Sequence, residues 1–366
     1  MFPSRRITTM GGDSFRDVYS LAFDGTNDNI RIPVLEFSVH DASFSFVFWV
    51  KRGAEDAAQV ILGNSGTDAD SLVYFTAGND LLMETDTNAD LARITPNVED
   101  LNWHHCVIVC SSGTVTAYQD GVACSLTGNV DGDDLTIDTI GGSGSGGTSN
   151  EFNGNISEIA IYNTTLYRPD VIELYNGREP YDHKNGLKKS YLKHWWRMGD
   201  GTVDTFGGYG GGLVGSEVNP TVGAAMTATK NYGSLDFSDA TYWTPETNLS
   251  VTDANTIEAS DAGVGIYEAS GETTDTIGKT YRVRLAGTLS ANTFIYRNAG
   301  DAVQYFSTAD STFDVTFYYV ATHAQVRFYL SNSATLDITT YEKYQIGDNA
   351  GAMINMGAED FSGDTP

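Results

Sequence analysis

Phe313-Asp314-Val315-Thr316-Phe317-Tyr318-Tyr319 is the clearest alternating run in the chain. Successive side chains of an extended strand point to opposite faces, so Phe313, Val315, Phe317 and Tyr319 share one side. Aromatic and β-branched residues at a period of two predict a half-buried strand. Val326, Phe328 and Leu330 repeat the pattern, with Gln325, Arg327 and Tyr329 opposite. Tyr281, Val283 and Leu285 do the same against Arg282 and Arg284. Strands of this kind, separated by Gly, Asn, Asp and Ser turns, are what a two-sheet sandwich requires.

Earlier in the chain, Phe44-Ser45-Phe46-Val47-Phe48-Trp49-Val50 is largely apolar on both faces, which predicts an inner strand covered on two sides. Leu72 to Phe75, Cys106 to Cys110 and Val115 to Gln119 follow, the last running into the hairpin signal Asp120-Gly121. Gly154 to Tyr162 closes this set. Pro169 suits the start of a short helix with Val171, Leu174 and Tyr175 as its apolar stripe, and Gly177 would stop it. The run Gly141 to Gly147 reads as a loop within this domain, because the Ile156 strand is needed to complete the sheet.

The fold class expected is all-β, two tandem antiparallel β-sandwiches of jelly-roll type. Residues 1–18 form an N-terminal arm, 19–177 the first sandwich, 178–239 a glycine-rich bridging region, 240–347 the second jelly roll and 348–366 a C-terminal tail on the surface or against a neighbour. Within the bridge, Trp195 and Trp196 are expected to cover a sandwich edge or seal an interface.

The 366 residues carry a net charge of −27 with only 21 Lys and Arg. A phosphate backbone is bound by clustered cations, so nucleic acid is excluded as a partner. The same charge leaves many carboxylates for cations. The 39 glycines follow no collagen period and read as turn chemistry. Cys106, Cys110 and Cys124 are too few for a disulfide framework, and buried thiols in a reducing compartment are expected. Met1 to Met10 shows Arg5 and Arg6 with no apolar run behind them, against a secretory signal. Phe44 to Val50 is too short to span a bilayer, so no membrane insertion is expected.

Candidate sites are few. A pyranose stacks on an exposed ring while polar groups fix its hydroxyls, which makes Tyr242, Trp243, Tyr318 and Tyr329 the candidate glycan platforms. Tyrosines at a protein interface would look the same. Asp24 and Asp28, and Asp131, Asp133 and Asp134, are oxygen-rich loops that would supply calcium ligands, although short acidic side chains also satisfy their own turns. No other cofactor is implied. His104 and His105 fall on opposite faces of a strand and cannot chelate one ion together. There is no Gly-x-Ser-x-Gly elbow and no His-Glu-x-x-His, so a non-enzymatic role is expected.

Leu21 to Ile30 (LAFDGTNDNI), Phe44 to Lys51, Trp103-His104-His105-Cys106-Val107 and Phe152 to Tyr162 (FNGNISEIAIY) together resemble the laminin-G and concanavalin-like lectin/glucanase superfamily. The resemblance implies a sandwich that in relatives often binds glycans, sometimes through calcium. The Glu-x-Asp-x-x-Glu strand of the superfamily's glycosidases is missing. Gly278 to Val283 and Thr335 to Gln345 resemble carbohydrate-binding jelly rolls found beside bacterial glycosidases and in phage fibres. Trp195 to Gly201 resembles a segment of marine tailed bacteriophages. These likenesses imply a virion surface protein assembled in the host cytoplasm: a capsid decoration, head-fibre or tail-fibre component. Its partners would be capsid or fibre proteins and further copies of itself, a trimer by analogy with fibres. The alternative they imply is a glycan-binding lectin or adhesin.

Overall fold

The structure is a computed structural model. It describes residues 19–198 apart from 41, 56, 65–71, 86–90, 96–99, 129, 131–133 and 143–149; 213–214; 236–345 apart from 241, 269–274 and 301–302; and 351–354, 356 and 360–366. The arm 1–18, the glycine run 207–212, Asp131 and Asp133 lie outside the described residues. The chain is nearly all-β, with antiparallel sheets forming sandwich-like jelly rolls.

An eight-stranded and a nine-stranded sheet make the first sandwich. Ser43–Arg52 lies between Trp103–Ser111 and Asn153–Tyr162. Its Phe44, Phe46, Phe48 and Val50 enter the main core, beside Leu21, Ile61, Phe75, Ile137 and Ile156. Val47 enters a second, smaller cluster with Val107, Val109 and Ala160. Both faces of this strand are therefore covered, as its two apolar stripes require. The helix Arg168–Tyr175 supplies Val171 and Leu174 to the smaller cluster. Pro169 stands in its first turn, where a missing N–H costs nothing. Asn176, at φ 48°, makes the left-handed exit one residue before the expected Gly177, which is itself at φ 72°.

Of the two roles expected for Trp195 and Trp196, covering a sandwich edge or sealing an interface, their place in the first sandwich fits the former. They belong to the strand Leu192–Trp196, which pairs with Asn153–Tyr162 in the register Ile159↔Trp196 and Ala160↔Trp195. Ser20–Asp24 pairs with the first half of the same edge, from Asn153 to Ile156. The handover falls at Glu158, whose φ of 53° interrupts the strand. Adjacent strand residues face opposite ways, so Trp196 enters the main core and Trp195 the smaller cluster, where its Nε1 donates to Glu158 Oε2 at 2.6 Å.

The C-terminal segment also belongs to this sandwich rather than lying apart as a tail. Gly351–Ile354 pairs with Asn29–Phe37, and Phe361–Ser362 pairs with Ser20–Asp24. Met356 is buried in the main core and Phe361 packs against it. Asp364 accepts hydrogen bonds from Trp103 Nε1 at 3.0 Å and from Lys51 Nζ. The chain thus leaves the first sandwich, builds the second, and returns to close the first.

The second sandwich has two five-stranded sheets. One runs in the order Trp243–Pro245, Val264–Glu268, Val326–Leu330, Phe294–Asn298, Gln304–Thr308. The other runs Leu249–Val251, Thr256–Ala259, Ala334–Gln345, Thr280–Leu289, Thr312–Val320. Val283, Leu285, Phe313, Phe317, Phe328 and Leu330 meet in the core between them. A charged tie crosses that core: Lys343 Nζ donates to both oxygens of Glu268 at 2.9 and 3.0 Å and pairs with Asp275 at 2.5 Å.

Candidate binding face of the second sandwich

The alternation that sends Ile266, Phe328 and Tyr296 into the core sends their neighbours to the opposite, outer face of the first-mentioned sheet. Cross-strand register lines them up in two rows. Tyr267 faces Arg327, which faces Arg297. Gly265 faces Tyr329, which faces Ile295. Three central strands therefore place two tyrosines and two arginines within one patch.

The patch is ordered by ring and charge contacts. The guanidinium carbon of Arg297 sits 3.8 Å from the centre of the Tyr329 ring. That of Arg327 lies 4.7 Å from Tyr329 and 4.9 Å from Tyr267. Such contacts hold an arginine flat over a ring and rigidify both. Glu246 anchors the Tyr267 end. Its carboxylate accepts from Tyr267 Oη at 2.5 Å, from the Gly265 amide at 2.7 Å, and from Arg327 Nη2. Burial alone would raise the Glu246 pKa, but the hydrogen bonds from Tyr267 and Arg327 hold it below the usual carboxylate range. Gly265 is needed here: a Cβ would stand 2.3 Å from the Phe328 carbonyl oxygen and 3.0 Å from Arg327 Nε.

The Arg297 end is different. Arg297 makes no hydrogen bond or ion pair among the described residues, and its Nε is buried without a partner. It stands directly opposite Arg327 in register, and facing like charges repel. Burial, then this repulsion, lowers the Arg297 pKa from its usual value.

Of the four expected platforms, the structure brings only Tyr329 into this patch. Trp243 is 2% exposed and packs edge-on against Phe237 and Phe328 at 5.1 and 5.4 Å. It is a core residue, because its strand begins with an inward position. Tyr318 points away from the core but is also 2% exposed, at a strand that lies close to Asn29–Phe37 and Gly351–Ile354 of the first sandwich. Tyr242 is exposed at 37% and, among the described residues, makes no hydrogen bond or ring contact with the patch side chains. Tyr267, Arg297, Arg327 and Glu246 were not singled out from sequence. The signal was present for Arg327, placed opposite Phe328 by alternation, and Phe294-Ile295-Tyr296-Arg297 carries the same period.

The Asp24–Asp28 turn satisfies its own amides. Asp24 Oδ1 accepts from the Thr26 and Asn27 amides at 2.7 and 3.3 Å, and Asp28 Oδ2 from the Asp24 amide at 2.9 Å. Burial, with repulsion from Asp24 and Asp360, pushes the Asp28 carboxyl up to about 6. Asp134 is exposed. His104 is held between Asp120 at 2.8 Å and Asp100 at 2.7 Å, while His105 lies buried on the other face beside Trp49. Among the described residues no group of three or more His, Cys, Asp or Glu side chains is arranged to hold a metal ion. No helix among them is long and apolar enough to cross a membrane.

Comparison with known proteins places the first sandwich in context. No curated protein matches the sequence. Among solved structures, a putative carbohydrate binding protein from Bacteroides ovatus is 13% identical with a TM-score of 0.38, covering 51% of this chain and 53% of that one. The heptameric SAP-like pentraxin of Limulus polyphemus is 15% identical with a TM-score of 0.35, covering 47% and 85%. Domain 4 of an extracellular arabinanase from Geobacillus stearothermophilus, in complex with arabinotriose, is 18% identical with a TM-score of 0.30, covering 43% and 76%. The chain thus spans about half the length of the first of these. Residues 24–172 match Laminin_G_3, a family of the concanavalin A-like lectin/glucanases superfamily, and over that stretch the chain is similar to its domains.

Proposed function

We propose that this chain is a non-catalytic saccharide-binding protein and that the outer face of the second sandwich is its binding surface. The observation that carries the reading is the patch of Tyr267, Tyr329, Arg297 and Arg327 across three adjacent strands. Tyrosine rings standing on a rigid sheet offer apolar surface at little entropic cost, and guanidinium groups beside them donate to hydroxyls. The lectin-type match of the first sandwich supports the same class of function.

The test is binding of the full chain to a broad panel of immobilised oligosaccharides, repeated with Tyr329→Ala. We expect a subset of glycans to bind and the variant to lose about tenfold in affinity, the equivalent of ~1.4 kcal/mol for a removed ring contact. A wild-type chain that binds nothing on the panel, or a variant that binds as well as wild type, overturns the proposal.

A further inference from the structure

We propose that the saccharide taken by this face is acidic, with a ring-borne oxyanion, carboxylate or sulfate, seated on the guanidinium of Arg297. The inference deepens the saccharide-binding reading and rests on it.

Charge on the patch is out of balance. Its members are two arginines, two tyrosines and one carboxylate, and that carboxylate, Glu246, is engaged by Arg327, Tyr267 and the Gly265 amide. Arg297 faces Arg327 with a ring beneath it and, among the described residues, no carboxylate hydrogen-bonded or ion-paired to it. With Arg327 paired to Glu246, the patch keeps one net positive charge, and a bound oxyanion would neutralise it. The planar fork of a guanidinium matches a carboxylate or sulfate with two parallel hydrogen bonds. The Tyr329 ring fixes the plane of that fork, so the arginine is ordered before any ligand arrives.

The setting sharpens the argument. Lys279, Arg282, Arg284, Arg297, Arg327 and Lys343 are all the lysines and arginines between residues 236 and 345. Arg284 is bound by Asp314 through two hydrogen bonds of 3.1 Å, and Lys343 is locked in the core by Glu268 and Asp275. Arg327 is buried and paired with Glu246, so Arg297 supplies the positive charge of this outer face in a chain of net charge −27. Screening limits the repulsion from the rest of the surface to within about 8 Å at physiological salt, so the local charge decides the sign at the patch.

The experiment compares three ligands on the wild-type chain by calorimetry: a uronic-acid trisaccharide, its carboxyl-reduced neutral counterpart, and a sulfated form of the neutral trisaccharide. We expect at least one acidic ligand to bind about tenfold or more tightly than the neutral one. Arg297→Gln should bring the acidic and neutral affinities to within about twofold of each other, so the readout is the acidic-to-neutral ratio within each protein. Arg297→Lys, which keeps the charge without the fork, should recover part of the preference. Equal affinities of all three ligands for the wild-type chain, or an acidic preference untouched in Arg297→Gln, overturn this inference while leaving saccharide binding standing. Failure of every saccharide to bind, on this trio and on the broad panel, overturns both. The wild-type comparison needs no variant and decides the point even where Arg297→Gln folds poorly.

Discussion

The two sandwiches close their sheets with different chemistry. In the first, inter-sheet packing is apolar: Phe46, Phe48, Ile61, Phe75, Ile137 and Ile156 meet in the main core, and Met356 returns from the far end of the sequence to join them. In the second, the core is largely aromatic and is crossed by a polar tie. Lys343 on one sheet reaches Glu268 on the other and Asp275 in the loop beside it, while Tyr341 Oη and Tyr296 Oη hydrogen-bond across the gap at 2.9 Å. Burial works against the Lys343 ammonium, but Asp275 and Glu268 outweigh it and raise its pKa well above the usual lysine range. The contrast teaches where each fold stores its specificity. An apolar core is forgiving of small repacking, whereas a buried ion group admits one arrangement and penalises every half-satisfied alternative.

Breaking the polar tie is the strongest test of that contrast. Lys343→Met leaves Glu268 and Asp275 buried without their cation and should cost the second sandwich about 3–5 kcal/mol. Hydrogen exchange, which reads the two sandwiches separately, should show lost protection in the Val264–Glu268 and Ala334–Gln345 strands and much less change in Ser43–Arg52. Equal loss in both sandwiches would refute the separation of the two cores. A smaller effect should come from Met356→Ala, about 2–4 kcal/mol for a truncated core methionine. It should appear in the first sandwich, showing that the C-terminal segment is structural there; unchanged denaturant stability would refute that role.

The smallest effect concerns pH and belongs to the first sandwich. Burial raises the Asp28 carboxyl to about 6, and burial, opposed by Arg31, raises Glu151 to about 7. The folded chain therefore holds more protons than the unfolded chain between about pH 4 and 7, so these two groups make stability fall as pH rises through that window. Asp28→Asn removes one ionisation and keeps an oxygen for the Asp24 amide. We expect it to gain about 1 kcal/mol at pH 8, roughly 2–4 °C in Tm, and nothing at pH 3, below both the folded and the unfolded value. A gain of the same size at both pH values would separate the effect from titration.

Much of the fold was legible because period-two alternation is a local property. Phe44 to Val50 has two apolar stripes and is covered on both faces; Phe313, Phe317 and Tyr319 share one face and line one core. The platform reading went wrong where facing had to be combined with distance. Trp243 has the chemistry of a sugar platform, but its strand turns it inward. Tyr318 faces outward correctly, yet the first sandwich lies close to its strand. Tyr329 is different because it faces outward on a middle strand, where Arg297 of the neighbouring strand lies against its ring. That arrangement depends on the pairing of three strands drawn from residues 264 to 330.

By itself the sequence determined which segments become strands and which side of each is apolar. Those properties follow from neighbouring residues. Tertiary structure alone decided that Trp195 and Trp196 enter two different clusters, that residues 351–354 and 361–362 complete sheets begun by residues 20–37, and that Arg297 faces Arg327 across two paired strands. Each of these is a matter of register between distant strands. Register is chosen by how whole faces bury together, and no single segment carries that information.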